Sequence, residues 1–250
     1  MSDRRGLTIL ELVVAITVVS LLIALLLPAV QSMRESSRRT ECVTRLRELG
    51  HALHAYEGAH HRFPPIVPGD DGTSPASKNA FSAHVFLLPY LDQLALFNQF
   101  DLNAPQMNEP YTPATLPEPA RATVPAFLCP SDSVDGGNNY RYCTGPGPDA
   151  FDAGVAPGGR GAFSDMRGHT TGQLTDGLSQ TVAMSERLKS DDSPSSFSPE
   201  RDYWFLALPL NLTQSATPDD MAQYCGSLTG TPGSHYHPYV GRFWFTGSYG

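Results

Sequence analysis

Hydrophobic residues are concentrated near the beginning of the chain. Residues 12–33 include no charged side chain over 22 positions, and Arg4 and Arg5 stand a few positions before them. An uncharged run of about 20 residues can cross the hydrocarbon core of a bilayer as one helix. A short basic head is typical of an end that stays in the cytoplasm. The pattern predicts a single-pass cytoplasmic (inner) membrane protein, with contacts to membrane lipid over 12–33 and an extracytoplasmic domain after them.

A cleaved secretory signal is the competing interpretation of this run. Such signals have a shorter apolar core and end in a small-x-small cleavage site. The run here is longer, and residues 27–31 place Leu27 where a small residue is needed. The sequence therefore favours an anchor that is retained.

A helical pattern continues beyond the apolar run. Between residues 31 and 58 there is no proline, and the apolar residues Leu46, Leu49, Leu53 and Tyr56 recur at helical spacing. This spacing leaves one apolar stripe on an otherwise polar helix. We predict one long helix over 7–58, ended by Gly58 and the two prolines that follow at 64 and 65.

Three local features modify this helix. Pro28 has no backbone N–H and is predicted to break or kink it. Glu35 with Arg39, and Glu41 with Arg45, are acid-before-base pairs four positions apart, which support an exposed helix by a few tenths of a kcal/mol each. The second half of the helix is therefore expected to lie in water and to carry the domain.

Residues 59–250 read as a loop-rich α+β domain. Residues 81–88 suit a strand or the start of a helix, and Pro89 with 90–97 predicts a short helix. Residues 181–184 and 203–206 resemble short strands bounded by turn residues. We expect an antiparallel sheet from this domain to cover the apolar stripe of the long helix and to form a two-layer core with it.

Composition narrows the range of functions. The chain of 250 residues has 17 basic and 25 acidic side chains, a net charge of −8, with 22 glycines and 22 prolines. The length allows one anchor and one globular domain. The acidic balance argues against nucleic acid as a partner. The glycine and proline content favours a loop-rich extracytoplasmic domain over a helical one.

Four cysteines, Cys42, Cys129, Cys143 and Cys225, all lie beyond the apolar run. The predicted topology places them in an oxidising compartment, where disulfides persist. Four cysteines allow three pairings. Cys42 on the helix can staple the domain to it, with Cys129 as the preferred partner, but buried free thiols remain an equal alternative. No pair has C-x-x-C spacing, which disfavours zinc and thioredoxin-like chemistry.

Signals for an enzyme or a cofactor are sparse. His60-His61 and His235 with His237 have metal-ligating side chains, but such histidines are more often loop residues. Asp132, Asp135 and Asn138, with Asn139, form a loose calcium-loop candidate that lacks the spacing and terminal Glu of an EF-hand. There is no phosphate-binding glycine loop or nucleophile elbow. We therefore expect no enzyme activity, no cofactor and no metal.

The segment Gly6-Leu7-Thr8-Ile9-Leu10-Glu11 resembles the processing motif of bacterial type IV prepilins and pseudopilins. The resemblance implies a leader over 1–6, removed by prepilin peptidase between Gly6 and Leu7, with N-methylation of Leu7. Glu11 then pairs with the N-terminal amine of a neighbouring subunit, and Pro28 falls at the usual kink. Because a lone charge is costly to bury, such a pair can fix the register of packed helices.

The similarity extends beyond the anchor to a large prepilin-like family of unknown function, whose ectodomain has been labelled solute-binding. It is found in nine segments: 38–42, 46–50, 52–54, 62–65, 87–93, 127–132, 174–181, 185–186 and 241–244. Members usually end in a His-x9-Asp-Gly segment. Here His169 precedes Asp176-Gly177 by six residues, so 59–250 is expected to be incomplete at its end relative to the family.

Together these features predict a non-enzymatic, membrane-anchored prepilin-like protein. It is expected to be cut by prepilin peptidase and to assemble through its N-terminal helix with itself or other pilin-like subunits. The filament would be a pilus or a secretion-type pseudopilus, at the cell surface or in the periplasm. The alternative is an anchored solute- or glycan-binding protein that does not polymerise.

Overall fold

The computed structural model describes residues 9–65, 81–102, 116, 118–143, 162–163, 168–191, 198, 200–201, 203–204, 219, 223, 236–237, 241 and 243–245. Within them the fold is α+β, with one long helix, several short helical turns and two small antiparallel β-ribbons. The fold class expected from the sequence is therefore confirmed.

Helix α1 spans Ile9–His60 and continues through Pro28 without an interruption, so a break of the helix at Pro28 is not found. A proline removes one backbone hydrogen bond, and the remaining bonds of the helix carry it past this position. Its end differs slightly from the prediction, because Gly58 lies inside the helix. The chain leaves the helix at His61, whose φ of 57° is left-handed and cannot continue a right-handed helix. The buried residues of α1 all lie in its second half: Cys42, Leu49, Ala52, Leu53 and Tyr56.

The segment after residue 81 forms three short helical pieces. Helix α2 covers Ala83–Leu87 and a 3₁₀ turn follows at Leu88–Leu91, so the helical alternative holds for 83–88, after an extended Ser82. Helix α3 covers Leu94–Phe97. The single helix predicted over 90–97 is thus wrong, because Asp92 takes a left-handed φ of 58° between the two pieces.

The strands form two separate ribbons. Strand β1 (Tyr140–Tyr142) pairs antiparallel with β2 (Met184–Glu186), so that Tyr140 faces Glu186. Strand β3 (Tyr203–Trp204) pairs antiparallel with β4 (Tyr236–His237). The two predicted strands are each found within three residues of their predicted start, whereas β1 and β4 were not predicted.

The core lies between the second half of α1 and the elements that cover it. The apolar stripe packs against α2, the 3₁₀ turns at Leu88–Leu91 and Pro125–Phe127, and strand β2. The prediction that a sheet would cover the stripe is therefore only partly right. Most of the cover described comes from short helical turns, because β1 and β2 pair over only three residues each.

Residues near the end of the chain complete this core. Phe243, Trp244 and Phe245 are each at most 2% exposed. The backbone N–H of Ser82 donates to the carbonyl of Phe245 at 2.8 Å, and the Ser82 hydroxyl donates to the carbonyl of Trp244 at 2.5 Å. Trp244 Nε1 donates to the carbonyl of Ala122 at 3.1 Å. Residues more than 100 positions apart therefore depend on one another for burial.

Candidate assembly site

The first half of α1 is apolar and exposed. Its most hydrophobic window of 18 residues has a mean hydropathy of 2.9 and is 0% buried in the chain. Large side chains that point in different directions around the helix, such as Leu21, Leu22 and Ile23, are more than half exposed. A helix that is hydrophobic on all sides needs lipid or other helices around it. This half is long and apolar enough to cross a membrane.

Glu11 lies in the first described turn of α1, and its side chain is exposed. A carboxylate there is favoured by the partial positive charge of a helix N-terminus. It is nevertheless costly at the edge of a bilayer, where an ionisable group is a functional-site candidate. Gly6 and Leu7, the expected cleavage and methylation positions, lie outside the described residues.

A covalent bond joins α1 to the domain. The Sγ atoms of Cys42 and Cys129 form a disulfide between residues 87 positions apart. This is the pairing that the sequence analysis preferred. Cys143 is a free thiol of intermediate exposure, and Cys225 lies outside the described residues. The alternative of free thiols therefore does not hold for Cys42 and Cys129.

Polar contacts surround this disulfide. The Arg45 guanidinium donates to the carbonyls of Pro125 at 2.7 Å and Leu128 at 2.5 Å, and it also pairs with Glu41. The Tyr140 hydroxyl donates to the carbonyl of Cys42 at 3.0 Å. We call Cys42, Arg45 and the segment 125–129 the helix–domain joint. It fixes the domain to the middle of α1 by covalent and hydrogen bonds at once.

One of the two predicted ion pairs differs in the structure. Glu41 pairs with Arg45 as expected, but Glu35 pairs with Arg38 at 2.6 Å and not with Arg39. The other carboxylate oxygen of Glu35 accepts from the Ser131 hydroxyl at 3.2 Å. A hydrogen bond from Arg38 lowers the pKa of Glu35. Three positions as well as four bring side chains together on a helix, so spacing alone could not choose between the arginines.

The carboxylate of Asp132 is the centre of a buried polar cluster. Its side chain is fully buried and pairs with Arg201 at 2.9 Å. It also accepts from Asn139 Nδ2 at 2.7 Å and from the backbone N–H of Lys189 at 2.9 Å. Burial alone would raise the pKa of Asp132, but these donors together hold it below its ordinary value. The cluster therefore keeps an ionised carboxylate inside the domain.

This arrangement bears on the calcium-loop candidate. Both oxygens of Asp132 already accept protein hydrogen bonds, and Asn138 Oδ1 accepts from the backbone N–H of Tyr140 at 2.8 Å. Asp135, three positions after Asp132, is exposed. Within the described part of the chain, the one group with metal-ligand spacing is Cys42, Cys129 and Glu186, and its cysteines are disulfide-bonded. The described contacts of Asp132 and Asn138 therefore stabilise the protein's own loops.

The histidine candidates are separated in the structure. His60 ends α1 and stacks on Tyr56 with ring centroids 4.2 Å apart, while His61 is exposed in the turn that follows. His235 lies outside the described residues, and His237 belongs to β4, where only the backbone is described. His60 thus packs against the core aromatic of the helix.

Sequence reasoning missed His84, which is completely buried in α2. Its Nε2 lies 2.9 Å from the carbonyl of Tyr140 and 3.1 Å from Asn138 Nδ2, and among the described residues its Nδ1 has no hydrogen-bond partner. Burial lowers the pKa of His84 to about 3, so the ring is neutral. In the Nε2–H tautomer this nitrogen donates to the Tyr140 carbonyl, and in the Nδ1–H tautomer it accepts from Asn138 Nδ2. No local motif marks this position.

Sequence reasoning also missed the long-range hydrogen bonds of Arg45, Tyr140 and Asn139. Asn139 Oδ1 accepts from the backbone N–H of Cys129 at 3.0 Å, which ties β1 to the joint. Each of these contacts links positions 10 or more apart in the sequence. One clue was available in the sequence. Arg45 lies three positions after Cys42, and Asn139 and Tyr140 lie 10 and 11 positions after Cys129.

Comparisons with known proteins agree with this geometry. The prokaryotic N-terminal methylation motif matches residues 1–27, and the family described as "Protein of unknown function (DUF1559)" matches residues 31–239. Searches of curated proteins and of solved structures found no match. The motif indicates a prepilin-like, membrane-anchored protein processed by prepilin peptidase. Because the second match covers most of the chain, this protein belongs to the DUF1559 family and carries the N-terminal methylation motif of prepilins.

Proposed function

We propose that this protein is a non-enzymatic subunit that assembles through the first half of α1 into a pilus or pseudopilus filament. The observation that carries the proposal is the division of α1 into two halves. The first half is apolar and exposed on all sides, and the second is buried against a domain that a disulfide attaches to it. Helices of this kind can be covered by lipid first and by one another later.

In this proposal, Glu11 determines the axial register of neighbouring helices in the filament. After cleavage behind Gly6, the new amino group of Leu7 lies four positions before Glu11. Each charge alone is costly in an apolar environment, whereas an ammonium of one subunit and a carboxylate of another neutralise each other. The pairing stabilises one axial stagger of neighbouring helices and disfavours the others.

The experiment compares Glu11→Ala with Glu48→Ala in cells that express the prepilin peptidase. Glu48 is an exposed carboxylate on the same helix, beyond the apolar run. We expect Glu11→Ala to remain in the membrane fraction and to be lost from sheared filaments by at least about tenfold, which a lost charge pair of about 1.4 kcal/mol already produces. Glu48→Ala should assemble like the wild type.

Mass spectrometry of the N-terminus separates assembly from processing. Both variants should begin at N-methylated Leu7, so that loss from filaments cannot be attributed to a retained leader. Incorporation of Glu11→Ala at the wild-type level would contradict the proposal. A wild-type chain found solely in the membrane would favour the alternative of an anchored solute- or glycan-binding protein.

A further inference from the structure

Three arginines, Arg34, Arg38 and Arg39, follow directly after the apolar run of α1, and all three are exposed. We call them the arginine collar. Arg38 pairs with Glu35, whereas no salt bridge within the described part of the chain involves Arg34 or Arg39. Two uncompensated guanidinium groups therefore stand at the end of the membrane-spanning stretch.

The depth of the collar matches one layer of the bilayer. From Arg34 to Arg39 the helix rises by about 7.5 Å, at roughly 1.5 Å per residue. Hydrocarbon core and interfacial regions together measure about 40–45 Å, of which about 30 Å is hydrocarbon, leaving roughly 5–7.5 Å of headgroups on each side. A span that places residues 12–33 in the hydrocarbon thus places the collar among the headgroups.

The side of the helix is also informative. Arg38 and Arg34 lie one and two turns before Cys42 on the same face, because residues four apart are neighbours on a helix. Cys42 is bonded to the domain, and Ser131 of the domain reaches Glu35 at 3.2 Å. The collar therefore lies on the domain side of the helix, between the domain and the membrane surface.

The positive charge of the collar contrasts with the negative charge of the domain beside it. Residues 59–250 hold 10 basic and 19 acidic side chains, a net −9, and anionic headgroups repel such a domain. Basic residues beside the extracytoplasmic end of a span also oppose the usual bias of Lys and Arg toward the cytoplasmic side. Three arginines at this point carry a topological cost, which contacts to phosphate offset.

We propose that the arginine collar binds the phosphate groups of anionic phospholipids in the extracytoplasmic leaflet and so sets the depth of α1 in the membrane. Guanidinium groups bind phosphate through paired, charge-assisted hydrogen bonds. Arg34 and Arg39 provide the uncompensated donors, and Arg38 is held beside them by Glu35. The proposal rests on the membrane-anchored stage of the protein and does not require filament assembly.

The test uses the purified full chain in vesicles that contain spin-labelled phosphatidylglycerol or spin-labelled phosphatidylcholine. Electron spin resonance measures the fraction of each lipid that the protein immobilises. Arg34→Gln and Arg39→Gln are each compared with Arg47→Gln, which removes the same charge from an exposed position on α1. Arg47 lies about 12–20 Å farther along the helix than these two arginines, beyond the headgroups.

We expect the wild type to prefer phosphatidylglycerol, and each collar variant to lower that preference by up to about fivefold, the effect of one basic residue near an anionic surface. Arg47→Gln and Glu11→Ala should keep the wild-type preference, so a failure of assembly leaves this result unchanged. Equal immobilisation of both lipids by the wild type would overturn the proposal that the collar binds anionic phospholipids. The same loss in Arg47→Gln would also overturn it, because the effect would then be one of general charge.

Discussion

At the scale of single residues, the domain is organised by polar side chains that are buried and satisfied. The Asp132 carboxylate accepts hydrogen bonds from Asn139, Arg201 and the backbone N–H of Lys189. The side chain of Asn138 accepts one from the backbone N–H of Tyr140. Removing one member leaves the others buried without partners, which costs more than the bond itself contributes. These residues therefore define one arrangement of loops that have little regular secondary structure.

His84 makes the stability of the domain depend on pH. Burial lowers its pKa to about 3 in the folded chain from 6.5, with the nearby Arg141 acting in the same direction and the Tyr140 carbonyl opposing both. The unfolded chain thus binds more protons below pH 6.5, and the stability present above that pH is lost as the pH falls toward 3. We expect a loss of up to about 1.4 kcal/mol per pH unit. Urea unfolding of the detergent-solubilised chain at pH 7.5, 6 and 5 measures this slope.

The matched variants are His84→Gln and His51→Gln, the latter on the exposed face of α1. His84→Gln should flatten the slope, whereas His51→Gln should leave it unchanged. Asp132 cannot account for the effect, because a carboxyl whose folded pKa lies below its ordinary value of 3.8 loses its contribution only below about pH 4. An equal slope in all three proteins would refute this role of His84.

Among single residues, the sequence best predicted those whose type is unusual for the segment in which they occur. Glu11 beside an apolar run and Cys42 on a predicted helix were recognisable without coordinates. His84 was not, because a histidine in an apolar segment has no distinguishing spacing. Its environment is created by Phe127, Tyr140 and Tyr142, which come from segments more than 40 residues away.

At the scale of elements, α1 serves two environments with one uninterrupted helix. Its first half offers apolar side chains in every direction, and its second half has a buried stripe. The helix–domain joint lies close to the boundary between them. The disulfide and the hydrogen bonds of the joint therefore attach the domain within about three turns of the apolar half.

Loss of the Cys42–Cys129 disulfide should weaken this attachment strongly. The bond closes a loop of residues 87 positions apart, and a chain-entropy argument gives a stabilisation of about 4–5 kcal/mol for such a loop. The double variant Cys42→Ser, Cys129→Ser should unfold in markedly less urea than the wild type. Near-ultraviolet circular dichroism of the detergent-solubilised chain reports the transition.

Two comparisons make this experiment specific. Cys143→Ser removes a free thiol and should leave the midpoint close to that of the wild type. Addition of a reducing agent should shift the wild type to the midpoint of the double variant and should not affect the double variant. A double variant as stable as the wild type would mean that Arg45 and Tyr140 hold the joint without the covalent bond.

The elements differ in how well they could be predicted. The long helix follows from a local repeat that persists over many turns, so its existence was correctly predicted. The ribbons have strands of two or three residues, too short for an alternating pattern, and β1 and β4 were missed for this reason. The helix predicted at 90–97 is interrupted at Asp92, which has a left-handed φ of 58°. Aspartate tolerates this conformation but does not require it, so the sequence alone could not predict the interruption.

At the scale of the whole molecule, the core is closed by residues that lie far apart in the sequence. Leu49 of α1 belongs to the same buried cluster as Phe127 and Trp244. The family match ends at residue 239, so the segment that supplies Trp244 lies beyond it. The sequence could identify the stripe on α1 but not its partners, because their pairing depends on how some 190 intervening residues fold.

Trp244→Ala should therefore destabilise the domain even though the residue is far from the helix in sequence. The side chain is 2% exposed, packs against Phe100 and Phe127, and donates a hydrogen bond to Ala122. Truncating such a residue costs about 3–5 kcal/mol, since both packing and a cavity contribute. Trp244→Phe keeps most of the packing and should cost less, mainly the lost hydrogen bond of about 1 kcal/mol.

Leu94→Ala is the control, because Leu94 is 55% exposed on α3 and should change the urea midpoint little. Near-ultraviolet circular dichroism follows the unfolding in urea. The urea midpoints should be highest for the wild type and Leu94→Ala, lower for Trp244→Phe and lowest for Trp244→Ala. A Trp244→Ala midpoint equal to that of Leu94→Ala would show that the end of the chain does not close the core. The ranking expected here would instead mean that the domain held by α1 depends on a segment past the family match.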